Sequence, residues 1–225
     1  SVRCLYKTIL YFPTFEAGRL DFENIEFSRE QMLRDTMISL AMRAHQKNLD
    51  RLLHIAPDVP DRLIGYPGRL RQVLVNLIGN AIKFTPTGEV EVAVHRIEPA
   101  PLTQTPTPTG LRFSVRATGI GIARDKFKAV FDSFSQADTS TTRQYGGTGL
   151  GLTISAQLVA LMGGCIELDS ELGQGSTFHF TLNLPSVSRD AFSHYQSTGR
   201  VTGLPVLIAG DNATNRSLLV QMLRN

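Results

Sequence analysis

The chemistry that this sequence indicates most directly is phosphate binding by glycine loops. The stretch GGTGLGL places Gly147, Gly149 and Gly151 at the start of a predicted helix. Backbone N–H groups at a helix start, together with the helix dipole, hold phosphate oxygens where no side chain intervenes. Such a loop suits a nucleoside triphosphate, although glycines at this spacing are equally common in ordinary turns. The motif therefore needs support from other parts of the chain.

Three polar residues on another predicted helix supply that support. In NLIGNAIKF, the residues Asn76, Asn80 and Lys83 follow at steps of four and three, opposite an apolar stripe. This spacing places them on one helical face. Amide oxygens can ligate Mg²⁺ beside triphosphate oxygens, and a lysine can compensate their charge. A single helical asparagine is more often a surface or capping residue, but two with a lysine and glycine loops favour a nucleotide site.

The length and composition of the chain limit the kind of fold that can position these residues. The chain has 225 residues, of which 42% are hydrophobic and 19% charged, so we expect one globular domain of ordinary size and a fragment of another. The sequence contains no run of eighteen apolar residues and no basic-then-apolar leader, which favours a soluble, cytoplasmic segment of a parent whose membrane anchor, if any, lies elsewhere. Lys and Arg are scattered rather than clustered, so no nucleic-acid partner is expected.

Hydrophobic periodicity predicts alternating helices and strands. Ser28 is expected to cap a helix that runs to Asn48, with Gln31 at the capping-box position. The other predicted elements are a strand in RLLHI, a helix over 67–84, strands in EVEVAVHRI and LRFSVRATG, a short helix in DKFKAVFDSF, a helix over 150–162 and two strands around LGQG. The predicted fold is an α/β (α+β) two-layer sandwich, a mixed sheet covered on one face by helices.

The motifs in this order resemble a known family. NLIGNAIKFT, TGIGI, FDSFSQAD and GGTGLGL are similar to the catalytic ATP-binding domain of bacterial hybrid sensor histidine kinases, within the Bergerat-fold ATPases, over roughly residues 28 to 185. The resemblance divides the chain into 1–24, a dimerisation-helix tail and junction; 25–185, the catalytic domain; 186–203, a linker; and 204–225, the start of a receiver domain, in which a strand is expected in LPVLIAG.

The resemblance also implies the ligands and their residues. The cofactors would be ATP and Mg²⁺, with Asn80 as the metal ligand and residues 135–147 as a lid that is poorly ordered without nucleotide. The phenylalanines 131 and 134 match a box that props this lid, although core packing explains them equally well. The nucleotide-binding residues that the resemblance implies are Asn76, Asn80, Lys83, Ala117, Gly119, Gly121, Ile122, Phe131, Phe134, Gly147, Thr148, Gly149, Leu150, Gly151 and Thr177.

The sequence departs from the family pattern at Ala117. Relatives carry an aspartate there, which accepts a hydrogen bond from the adenine amino group, and a methyl group cannot accept it. An unmet buried polar group costs about 1–3 kcal/mol, so we expect weaker and less selective adenine binding. In the receiver-like segment, Gly210 replaces one acidic residue and only Asp211 remains.

Two functions from different classes remain at this stage. The first is a kinase domain that transfers the γ-phosphoryl group of ATP to a histidine on dimerisation helices outside this chain, with receiver or other signalling domains as further partners. The second is a degenerate kinase domain that binds nucleotide poorly and regulates through protein interaction, which Ala117 favours. In either case we expect the isolated chain to be monomeric.

Overall fold

The computed structural model describes residues 23–97, 109–131, 150–187, 206–209 and 212–224. The chain divides into two compact units, residues 1–186 and 187–225. The elements of the first unit are β1 Ile25–Ser28, α1 Arg29–Ser39, α2 Ala41–His45, β2 Asp50–Ile55, β3 Arg62–Gly65, α3 Pro67–Phe84, β4 Glu89–Ile97, β5 Thr109–Ala117, α4 Gly151–Leu161, β6 Ile166–Glu171 and β7 Gly175–Leu184. The described part of the second unit contains the helix α5, Ala213–Arg224.

The main sheet is mixed, as predicted. Its five strands lie in the order β2-β4-β5-β7-β6, and only the β2–β4 pair is parallel. A second sheet pairs β1 with β3 in antiparallel register. The sequence pattern does not predict this second sheet, because strands of four residues carry too little periodicity to be recognised.

One face of the main sheet forms the core together with the helices. Along β5 the inner residues are Leu111, Phe113, Val115 and Ala117, and the alternate positions face the other way. Helix α3 packs six buried side chains against this face: Leu70, Val73, Leu74, Leu77, Ile78 and Ile82. This helix spans the predicted residues, with Pro67 at its first turn, and the two-layer sandwich is confirmed.

The helix predicted over 28–48 begins as expected but is interrupted. The Ser28 side chain accepts a hydrogen bond from the Gln31 N–H at 3.1 Å and caps α1. The helix ends at Ser39, whose hydroxyl donates to the Thr36 carbonyl at 2.7 Å, and α2 begins after Leu40. Hydroxyl groups that bond nearby carbonyls compete with helical hydrogen bonds. The break allows Leu40 and Ala44 to be buried in the core.

Two further predictions are corrected by the structure. The segment predicted as one short helix forms two 3-10 turns within the described residues, Arg124–Lys126 and Ala129–Phe131. So short a segment gains few hydrogen bonds for the cost of starting an α-helix. Residues 206–209 do not form the expected strand, and no described strand pairs with them.

The described helices include none with the length and apolarity needed to cross a membrane.

Candidate functional site

The predicted polar face of α3 lines a cavity of about 1010 Å³. Asn76, Asn80 and Lys83 are all half-buried there, on the opposite side of the helix from the core stripe. Among the described residues that line the cavity, four are cationic and none carries a carboxylate, so it suits an anion. The lining residues are Arg43, Gln46, Lys47, Gly68, Arg71, Gln72, Val75, Asn76, Gly79, Asn80, Ile82 and Lys83.

Lys83 is partly desolvated at the end of this cavity. Burial lowers the pKa of its ammonium group, and Nζ lies 4.8 Å from the centroid of the Phe84 ring. An anion placed nearby would favour the charged form of this lysine and offset the cost of its burial. A positive charge therefore lines this cavity on the helical face that the sequence predicted.

Asn76 joins α3 to the start of α4. Its Nδ2 donates to the Ser155 hydroxyl at 2.9 Å. Its Oδ1 lies so close to Gly151 that a Cβ on this glycine would approach it to 2.3 Å. The structure thus brings Asn76 and Gly151 together, and Leu150 lies half-buried directly before the helix. The glycine at 151 is needed for the close packing of the two helices.

The first glycine loop packs between the end of α3 and the β6–β7 turn. A Cβ on Gly119 would lie 2.3 Å from the Phe84 carbonyl oxygen. Gly121 has φ +70° and would bring a Cβ to 2.0 Å from the Glu171 carbonyl oxygen. The Ile122 N–H donates to the Ser170 hydroxyl at 2.7 Å. Packing against neighbouring backbone therefore accounts for both glycines, and it fixes the loop beside Ala117.

Ala117 ends β5 on the inner face of the sheet and is 8% exposed. Its Cα partner on β7 is Ser176, whose hydroxyl lies 2.8 Å from that of Ser170. The buried methyl group therefore lies beside Ser176, and Ser170 lies one strand further along the sheet. The sequence motifs do not identify Ser176, whose hydroxyl can accept a hydrogen bond from a polar group placed beside Ala117.

The structure does not place Thr177 beside Ala117. Its Cα partners are Arg116 on β5 and Asp169 on β6, and it lies on the outer face of the sheet. Successive strand residues point to opposite faces, so Ser176 takes the inner position instead. The alternation of Phe178, Phe180 and Leu182 in the sequence is the signal that could have identified Ser176.

Phe131 is the last residue of the second 3-10 turn and packs against β7 and α4. Its ring lies edge-on to that of Phe178, with centroids 6.2 Å apart. Its carbonyl accepts a hydrogen bond from the Thr153 hydroxyl on α4 at 2.9 Å. These contacts match the packing alternative for this residue. Phe134, Gly147, Thr148, Gly149 and the lid over 135–147 lie outside the described residues.

Comparisons with known proteins agree on one family. The family described as "Histidine kinase-, DNA gyrase B-, and HSP90-like ATPase" matches residues 65–186, more than half of the chain. The sensor protein GacS of Pseudomonas syringae pv. syringae is 46% identical over 182 residues, which are 81% of this chain and 20% of GacS. The signal transduction histidine-protein kinase BarA of Escherichia coli K12 is 43% identical over 184 residues, which are 82% of this chain and 20% of BarA.

Among solved structures, full-length ShkA in complex with AMPPNP superposes with a TM-score of 0.64 at 33% identity. The match covers 76% of this chain and 33% of ShkA. The chain spans about a fifth of the length of GacS and of BarA.

Proposed function

Because the chain belongs to the family of histidine kinase-, DNA gyrase B- and HSP90-like ATPases, we propose that it is the ATP-binding catalytic domain of a hybrid sensor histidine kinase. The domain would hold Mg-ATP and present the γ-phosphoryl group to a histidine on a dimerisation helix outside this chain. The observation that carries the proposal is the cationic cavity along α3, where Asn76, Asn80 and Lys83 share one wall.

The residues of this wall fit a magnesium triphosphate. Asn80 offers an amide oxygen, a ligand that Mg²⁺ accepts alongside phosphate oxygens and water. The cationic lining, with no carboxylate among the described lining residues, would repel a free dication, so the metal would enter with the triphosphate. When bound, Mg²⁺ neutralises phosphate charge and favours departure of the γ-phosphoryl group.

The chain's own residues would act by position and charge. Lys83 would balance phosphate charge, and Asn76 would hold the glycine start of α4 against α3. The first glycine loop and the Ser170–Ser176 pair would border the adenine side. Phosphoryl transfer depends mainly on such positioning and electrostatic stabilisation, so this domain needs no nucleophile of its own.

Ala117 supports a second candidate function, a degenerate domain that regulates through protein interaction. Its methyl group lies buried at the position where the family pattern has the adenine acceptor, and the Ser170 and Ser176 hydroxyls bond each other. Under either function, the proposed partners are the dimerisation helices and receiver or other signalling domains of the parent.

Calorimetric titration of the chain with Mg-ATP distinguishes the two candidates. The kinase function predicts binding that requires Mg²⁺ and that disappears in Asn80→Ala and in Lys83→Met. Lys128→Met is the matched control for the second variant, because it removes an exposed lysine outside the cavity lining. No saturable binding by the unaltered chain, or equal binding by Asn80→Ala, would reject the ATP-binding function and leave the degenerate domain.

A further inference from the structure

The C-terminal end of α3 is held by donors from three other parts of the chain. The last four carbonyl groups of an α-helix have no partner within the helix. Thr85 Oγ1 donates to the Ala81 carbonyl at 2.6 Å, and the Ile120 N–H donates to the Phe84 carbonyl at 3.2 Å. Lys47 Nζ satisfies the remaining two, at 2.8 Å from the Ile82 oxygen and 2.7 Å from the Lys83 oxygen. All four terminal carbonyls therefore have a partner.

Lys47 matches this position in both charge and geometry. A third carbonyl, that of Thr85, lies 3.4 Å from Nζ, so three oxygens surround an ammonium group with three N–H donors. A cation at a helix C-terminus also interacts favourably with the helix dipole. The ammonium therefore binds the end of α3 more strongly than a neutral donor could.

The turn that carries Lys47 is itself fixed. Asn48, three residues after the end of α2, adopts a left-handed conformation with φ 52°. The Leu49 N–H then donates to the Ala44 carbonyl at 3.0 Å, and both of these side chains are buried. Lys47 is thus presented to α3 from a turn anchored in the core.

The end of α3 is also where the two halves of the candidate nucleotide site meet. Lys83 lies within its last turn, on the phosphate side. Gly119 and Ile120, on the adenine side, pack against the Phe84 carbonyl and bond to it. A shift of this helix end would therefore change the distance between the two halves.

We infer that Lys47 is a positioning residue for nucleotide binding: it holds the end of α3 so that Lys83 and the first glycine loop keep their relative positions. This inference rests on the proposed function. A purely structural lysine would stabilise the fold without affecting the nucleotide affinity of the folded chain. A lysine that only adds charge to the cavity that it lines would affect the affinity without affecting hydrogen exchange at the Ile120 amide.

The test compares Lys47→Met and Lys47→Arg with the unaltered chain. We expect Lys47→Met to weaken Mg-ATP binding roughly tenfold, because part of the binding free energy would then be needed to order a helix end that Lys47 otherwise holds in place. It should also speed hydrogen exchange at the Ile120 amide, which bonds to the helix end. The Mg-ATP affinity and the Ile120 exchange rate of Lys47→Arg should lie between those of the unaltered chain and those of Lys47→Met. A planar guanidinium keeps the charge but cannot direct three protons at three converging carbonyls.

Arg96→Met is the control for removing a positive charge. This residue is exposed on β4, six residues beyond Val90, the partner of Ala117, and so about 20 Å along the strand. Both affinity and Ile120 exchange should be unchanged in this variant.

A lower melting temperature for Lys47→Met with unchanged affinity of the folded chain would overturn the inference, as would unchanged Ile120 exchange. If the unaltered chain does not bind Mg-ATP, the proposed function is rejected. The rate of hydrogen exchange at the Ile120 amide then decides by itself whether Lys47 holds the first glycine loop and the end of α3 together. If Lys47→Met does not fold, the same measurements on Lys47→Arg decide: affinity and exchange equal to those of the unaltered chain would reject the role of the three-carbonyl geometry.

Discussion

Under the proposed function, Ala117 is the residue that departs from the aspartate implied by the family resemblance. In the proposed site, the phosphate side has Asn80 and Lys83 in one cavity, whereas the adenine side offers a methyl group whose cross-strand neighbour is Ser176. A serine hydroxyl is a neutral acceptor, and hydrogen bonds to charged groups are stronger. We therefore expect nucleotide recognition to be limited at this residue.

Replacing Ala117 with aspartate should restore recognition of adenine. We expect Ala117→Asp to tighten Mg-ATP binding by about 1.5–3 kcal/mol, the usual value for a hydrogen bond to a charged group. Mg-GTP should change little, because guanine has an oxygen acceptor where adenine has its amino donor. Calorimetry with both nucleotides measures the difference. Without nucleotide the variant should melt at a lower temperature, because it buries an unpaired carboxylate.

Ala117→Asn is the matched control, with the shape of aspartate but no charge. It should give a smaller gain for Mg-ATP. Micromolar Mg-ATP affinity in the unaltered chain, or no gain in Ala117→Asp, would show that the serines or another group already meet the adenine amino group.

The contact between Asn76 and Gly151 makes a second prediction at this scale. A methyl group at Gly151 would lie 2.3 Å from Asn76 Oδ1, so Gly151→Ala should lower the free energy of unfolding by about 1–3 kcal/mol. Gly79→Ala is the control, since nothing lies within 4 Å of its Cβ position, and it should stabilise the helix by about 0.5–1 kcal/mol. Urea denaturation measures both changes.

Adding Asn76→Ala to Gly151→Ala tests the cause. Removal of the amide should make the double variant less unstable than the sum of the two single changes. If the two changes are strictly additive, the loss of stability in Gly151→Ala does not come from the contact with Asn76.

At the scale of elements, the two faces of the main sheet differ in chemistry. The inner face is apolar, whereas the outer face carries ion pairs such as Arg116 with Glu89 and with Glu91. His179 lies on the same outer face, with Nε2 2.8 Å from Glu167. We therefore expect the dependence of stability on pH to come from groups on this outer face rather than from the apolar core.

The histidine pair at the β2–β4 edge provides a test of this dependence. Burial lowers the pKa of His54, and the nearby His95 lowers it further, although Glu91 opposes the shift. The unfolded chain then binds more protons than the folded chain as pH falls below about 6.5, so stability should decrease there. His54→Gln should flatten the dependence, measured as the free energy of unfolding between pH ~5 and ~7.5.

The neighbouring residue separates the two causes of this shift. His95→Gln should reduce the loss of stability at low pH without abolishing it, because burial of His54 remains. A pH dependence that is identical in the unaltered chain and in His54→Gln would contradict the prediction.

At the scale of the molecule, the boundary near residue 186 makes the last prediction. Every residue of the core cluster lies between Phe27 and Leu184. Beyond β7, the Pro185 carbonyl accepts a hydrogen bond from the Ile64 N–H at 2.8 Å, and Ser186 forms a bridge with Leu63. A chain that ends after Ser186 should therefore keep the melting temperature of the first unit.

A chain that ends after Leu184 is the control and should melt at a lower temperature, because β3 loses both contacts. Equal melting of the two truncated chains would show that the contacts of β3 with 185–186 add nothing to stability. Sedimentation of the longer form also tests the proposed monomer, which a tight dimer would reject.

The sequence by itself determined the elements whose side chains repeat at a regular period. Helix α3 follows its apolar spacing and its first-turn proline, and β4 and β5 follow their alternation. Asn76, Asn80 and Lys83 share a cavity wall because helical geometry relates residues three and four apart. These features depend on near neighbours in the chain, so the local pattern was sufficient.

Only the tertiary structure decided which distant groups meet. Lys47 reaches carbonyls 35 and 36 residues away, and Asn76 meets Ser155 across 79 residues. Ser176, rather than Thr177, lies opposite Ala117 because the strand register assigns each residue to a face. The position of a lysine, an asparagine or a serine in the sequence does not indicate which distant residue it contacts. Their contacts follow from how helices and sheet pack, since burial of the apolar faces brings these polar groups together.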